Sequence, residues 1–174
     1  MAIDVSEHSV ADVEVTSGYI IRGSDLRGHV TDVAAFQRAH QDDPATPVLI
    51  ALSEHRFDDA MQMLDDLLSQ EPDSLRYRAL RGDVLRDQGQ LDAAEAVYSD
   101  LVARTSADPG RGPMMRQHRA KVYFHQGRLA EAETEFRAVL AAREAARASA
   151  DQIASTRQAL QRVRSELARR RVVA

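Results

Sequence analysis

A chain of 174 residues without cysteine holds no disulfides and no cysteine-based metal site, and it suits one compact domain or one short repeat array. Gly (8) and Pro (5) are sparse beside the helix-forming Ala, Leu, Arg, Glu and Gln, and no apolar run approaches the ~18 residues of a membrane span. The net charge of −4 is uneven: residues 1–45 carry −5 and residues 141–174 carry +5, which reads first as a solvated helix face or a basic tail facing an acidic start, and second as a nucleic-acid tail.

The opening, MAIDVSEHSV, has neither a basic nor an apolar signal region, so no signal peptide is expected. Basic residues are almost all arginine, with Lys121 the single lysine. We read that bias as a GC-rich bacterial genome, and the whole as a soluble cytoplasmic protein. VEVTSGYIIRG reads either as a hairpin turning at Ser17-Gly18 or as a mobile arm, because Val13, Val15, Tyr19 and Ile21 favour strands. If ordered, its acidic charge and few isolated apolar residues place it in or near a groove of the helices C-terminal to it. TDVAAFQRAH predicts a short helix near 32–41, capped at Thr31 or Asp32, with Val33 and Phe36 packing onto the first of those helices. Residues 1–44 are thus an N-terminal extension.

A repeat begins next. Phe57, Ala60, Leu64 and Leu67 recur 34 residues later as Leu91, Ala94, Tyr98 and Leu101, and a further 38 later as Leu129, Ala132, Phe136 and Val139. Offsets of 3, 7 and 10 draw one stripe on a helix, with alanine where another helix comes close. The four extra residues of the second step fall in SADPGRGP, where an insertion costs little. Upstream of each stripe is a second helix, carrying Gly82 or Ala120 with Leu85 or Tyr123 three residues on. The helices of a pair are hinged at Gly89-Gln90 and Gly127-Arg128, where glycine suits a left-handed cap; the first hinge is His55-Arg56.

This pattern resembles the tetratricopeptide repeat family over roughly residues 45–146. Gly82, Gly89, Leu91, Ala94 and Tyr98 carry the resemblance in the second repeat, and Ala120, Tyr123, Gly127, Leu129, Ala132 and Phe136 in the third. Ala60, Leu64 and Pro72 carry it in the first, where Pro44 and Pro47 shorten or shift the leading helix. The family's tryptophan position holds Arg78 and Arg116. The implied fold is all-α: a superhelix of three helical pairs over residues 45–148, closed by a C-terminal helix over 149–174. In that last helix Ile153, Leu160 and Leu167 recur every seven residues with Val163 between, after a capping-box spacing of Ser149 and Gln152. The stripe reads as a cap on the array, with homodimerisation through Leu160, Val163 and Leu167 as the alternative.

The resemblance also implies a groove formed by the first helix of each pair, which in this family binds peptides or partner helices. The implied inward positions include Leu49, Leu52, Arg76, Leu80, Asp83, Arg86, Asp87, Gln117, His118, Lys121, Phe124 and His125. A subset of the family clamps the C-terminal carboxylate of heat-shock chaperones with Lys and Asn at the first two inner positions; here Ala45 and Leu49 stand there. The mixture of apolar and charged side chains suits an amphipathic partner segment. No nucleophile motif, phosphate loop or HExxH is present, and no cofactor is expected. His118 and His125 stand about 10 Å apart along one helix, too far to share a metal ion. Asp58/Asp59 and Asp65/Asp66 read as a solvated face. The expected function is non-catalytic binding of another protein. The alternatives are nucleic-acid binding through Arg157, Arg162, Arg164, Arg169, Arg170 and Arg171, opposed by the acidic whole and missing aromatics, and the homodimer.

Overall fold

The computed structural model describes residues 10–173; most of the segment in which no signal peptide is expected lies outside them. An N-terminal sheet comes first: β1 (Val13–Thr16), β2 (Tyr19–Ile21) and β3 (Gly28–Val30) pair antiparallel in the order β1-β2-β3. β1 and β2 form the hairpin turned at Ser17-Gly18, with Gly18 at a φ of 76°. The third strand is an addition to the hairpin reading. Its short run, GHV, carries no period of its own, and it pairs with β2 through Tyr19–Val30. α1 (Val33–Ala39) comes next, its first turn capped by the Asp32 carboxylate on the Ala35 N–H. Phe36 is buried against Val30 and Ile50, whereas Val33 is exposed, because α1 turns only its Phe36 edge to the array.

Seven helices build the rest. α2 (Thr46–Ser53) packs on α3 (Phe57–Gln70), α4 (Leu75–Asp87) on α5 (Leu91–Arg104), and α6 (Arg111–His125) on α7 (Leu129–Ala145). α8 (Ala150–Val173) lies against both α7 and α6, in the place an inner helix of a fourth pair would take. The repeated stripe positions form the core: Ala60, Leu64, Ala94, Tyr98, Leu101, Ala132, Phe136 and Val139 are all fully buried. Asp58, Asp59, Asp65 and Asp66 are exposed along α3.

The hinges explain why the pairs repeat so regularly. At each one a residue takes positive φ: His55 at 59°, Gly89 at 82° and Gly127 at 76°. The next N–H then bonds back five residues, Arg56 to Ala51, Gln90 to Leu85 and Arg128 to Tyr123, each at 2.9 Å. This cap satisfies the last carbonyls of the inner helix and starts the outer one. Helix spacing within the second pair is set by Gly82, since a Cβ there would meet the Tyr98 ring at 2.7 Å.

At the C-terminal end Leu160 and Val163 are buried with Ala120, Leu129 and Phe136, and Leu167 packs alongside. The α8 stripe is therefore covered within the chain, the geometry of a cap.

Candidate functional site in the concave face

The inner helices α2, α4 and α6, with α8 beside them, present the concave face. Their N-terminal and C-terminal halves have different surroundings. Between the first halves of α4 and α6 lies an open cleft of about 690 Å³, lined among others by Arg76, Leu80, Asp83, Arg111, Met114 and His118. Four of the residues placed on the groove by sequence, Arg76, Leu80, Asp83 and His118, are brought together there. Met114 is the exposed apolar side chain at its mouth, and Arg76 pairs with Asp43 across the loop before α2.

At the floor of the cleft is a charge network. Asp83 Oδ1 lies 2.7 Å from Arg86 Nη1, 3.1 Å from His118 Nδ1 and 2.8 Å from the Tyr98 hydroxyl, which also donates to the Ala79 carbonyl at 2.6 Å. Arg86 Nε closes on Asp87 at 2.8 Å. Burial alone would raise the Asp83 carboxyl, but His118, Arg86 and Lys121 outweigh it and hold the acid well below the usual carboxylate range. Burial likewise works against the Arg86 cation, and Asp83 with Asp87 reverse it and raise its pKa. Lys121, only 4% exposed, is pushed down to about 8, by burial first and by the neighbouring Arg86 second. Asp83, Arg86, Asp87 and His118 are thus a fixed, paired set with Lys121 buried nearby, and the cleft sees only one rim of it.

The second halves of the inner helices are covered by the N-terminal arm, residues 10–30. Leu26, fully buried, inserts among Ala120, Leu160 and Val163 between α6 and α8. Arg27 reaches Asp87 at 3.2 Å. Tyr19 is partly buried, within charge range of Asp83, Arg86 and Asp87, and desolvation raises its pKa far above the ordinary value. His125 sits beside Arg27 and Asp25, and burial pushes its pKa down to about 3, with Arg86 and Arg27 adding to the effect. From α8, Gln158 donates to the Ala11 and Ile21 carbonyls at 2.7 and 2.8 Å, and Arg162 to the Ser24 carbonyl at 2.8 Å. The last helix thereby lies against the start of the chain through neutral backbone carbonyls.

The remaining sequence-predicted positions are occupied by the fold itself. Leu52 belongs to the core of the first pair, and Leu49 packs between it and the cluster under β3. Gln117 is locked in a buried network, bonding Ser155 and Thr156 of α8 and accepting from Arg143. Phe124 packs at the Leu26 cluster beneath the Arg162 guanidinium. In the tail, Arg157 pairs with Glu144, Arg164 with Glu133, and Arg162, Arg169 and Arg170 gather around Glu166. Sequence reasoning missed Arg111 in the cleft and Leu26 and Arg27 in the arm. The −5 charge of residues 1–45 and the lone leucine of SDLRG were the available signals.

A family model described as tetratricopeptide repeat matches residues 51–112, from the end of α2 to the start of α6. The matched span contains the Gly82–Tyr98 contact and the second hinge. Over those residues the chain is similar to the tetratricopeptide repeat family, as its helical pairs are. No curated protein and no solved structure matches the chain. Tetratricopeptide repeats generally mediate protein–protein interaction. Among the described residues no three His, Asp or Glu side chains are placed to share a metal ion, and no helix is long and apolar enough to cross a membrane.

Proposed function

We propose that this chain is a non-catalytic protein-binding module, an adaptor or scaffold of a bacterial cytoplasm, that receives a segment of a partner protein in the cleft between α4 and α6. The observation that carries this reading is the cleft itself: about 690 Å³, with Leu80 and Met114 as apolar anchors beside Arg76, Arg111, Asp83 and His118. Such a mixture suits an amphipathic helix or an extended segment with one apolar side chain and flanking charges. Asp83 and His118 are held by the buried network, so a ligand meets a rigid rim and little ordering entropy is lost there.

The test is affinity capture from a lysate of the source organism, with wild type beside the double variant Met114→Glu/Arg111→Glu. Both positions are exposed, so circular dichroism is expected to show unchanged helix content. A protein captured by wild type and lost with the variant supports the cleft. Equal capture by both places the interaction elsewhere on the molecule.

A further inference from the structure

The arm is the least satisfied part of the molecule. Among the described residues three buried side-chain atoms find no hydrogen-bond partner in the chain: Arg27 Nε, His125 Nε2 and Gln158 Oε1. All three lie on the seam between the arm and the concave face. Arg27 Nε approaches Asp87 without the alignment of a hydrogen bond. Among the described residues the seams between helices leave no such atom, and even the Gln117–Arg143–Thr156 network is internally paired. Buried polar groups are almost always paired in native structures, so unpaired ones confined to one interface mark an interface of low net gain.

The arm's tip is also built as a compact unit. The Arg22 N–H donates to the Arg27 carbonyl and the Leu26 N–H to the Arg22 carbonyl, both at 2.9 Å. The Asp25 carboxylate ties the tip together, accepting from the Arg22 guanidinium and the Arg27 N–H. Leu26 projects from this loop in the left-handed region, at a φ of 61°, and is the only buried non-glycine residue with positive φ among the described residues. A leucine held there is strained, and its burial between α6 and α8 offsets that strain. The tip thus presents one apolar knob and one adjacent cation to a socket with an apolar floor and an acidic wall at Asp87.

We propose that the Asp25-Leu26-Arg27 tip is an internal ligand, and that a partner protein segment carrying a leucine followed by an arginine displaces it from the socket between α6 and α8. This extends the reading of the concave face as a binding surface from the open cleft to the covered half. The arm then sets the affinity threshold. A tethered segment competes at an effective concentration in the millimolar range, so an external one binds appreciably only when it is better paired than the internal tip. Pairing of His125 and Gln158 is available to such a segment.

The experiment uses the full chain and a fluorescent peptide of residues 10–31 as the probe. Leu26→Asp in the protein removes the knob, which shifts the opening equilibrium roughly ten- to a hundredfold. Fluorescence anisotropy is expected to show the peptide binding this variant at least about tenfold more tightly than wild type. The same peptide carrying Leu26→Asp or Arg27→Glu is expected to lose that binding. Lys121, the single lysine, 4% exposed and within charge range of the Asp87 that Arg27 reaches, gives a second readout: its acylation, followed by peptide mapping, speeds up when the arm leaves. Should Leu26→Asp lose its helical circular dichroism, Arg27→Glu, which sets a carboxylate against Asp87 at a partly exposed position, carries the same measurements. Peptide binding equal in variant and wild type, or loss of fold in both variants, makes the arm a permanent wall and overturns the proposal. Concentration-dependent dimers of the wild type with exchanged arms overturn it in favour of a second copy. Met114→Glu leaves peptide binding unchanged, so failure at the cleft and failure at the socket are separable.

Discussion

Gly82→Ala tests the packing on which the second repeat depends. The added methyl would lie 2.7 Å from two carbons of the Tyr98 ring, about 1 Å inside ordinary contact. The ring has no room to retreat: it is fully buried and its hydroxyl is tied to the Ala79 carbonyl and to Asp83. Overpacking of this kind costs about 1–3 kcal/mol, and displacing a hydroxyl bonded to a charged acid adds about 1 kcal/mol. Alanine's better helix propensity returns about 1 kcal/mol. The net expectation is a loss of about 1–3 kcal/mol, a fall in melting temperature of about 3–10 °C, read by urea titration and calorimetry. A double-mutant cycle sharpens the test. With Tyr98→Ala in place the clash is gone, so the same Gly82→Ala change is expected to stabilise by up to about 1 kcal/mol. A neutral or favourable Gly82→Ala in the wild-type background refutes the reasoning.

The other predictions concern pH, hinges and the two binding regions. His125 stays neutral in the fold down to about 3, below its ordinary 6.5, so the unfolded chain takes up its proton first as pH falls. Stability is therefore lost progressively from about pH 6.5 towards 3, by about 2 kcal/mol at pH 5; His125→Asn flattens that dependence in denaturant titrations, and parallel curves for the two proteins count against it. At the hinges, Gly89→Ala is expected to lose about 0.5–1 kcal/mol through the strain of positive φ alone, whereas His55→Gly relieves that strain but gives up the edge contact of its ring with Phe57, for a net gain of at most about 0.5 kcal/mol. Thermal melts of the pair should move in opposite directions. Met114→Glu/Arg111→Glu is expected to abolish partner capture from lysate, and Leu26→Asp to open the socket to the arm peptide in anisotropy titrations.

The helical repeat was legible because it is periodic. Stripes at offsets of 3, 7 and 10 recur with Ala60, Ala94 and Ala132 in register, and Gly89 and Gly127 mark the hinges. The hinge at His55 adopts the same backbone without glycine, because the helices on either side over-determine it. Which inner-face residues remain open was not legible. Arg86 and Lys121 carry charges that composition places in solvent, yet they are buried: Arg86 pairs with Asp83 and Asp87 of its own helix, but the helices that close over both residues come from other parts of the chain.

The sequence alone determined the helical pairs and their order, since each depends on contacts within some forty residues and on a period that repeats. Only the tertiary structure decided that the arm fills half of the concave face. That contact joins residues 10–30 to α6 and α8 through one leucine, one arginine and a few carbonyls. A single knob seated in a socket far along the chain has no period, and its energy exists only once the helices that form the socket have folded.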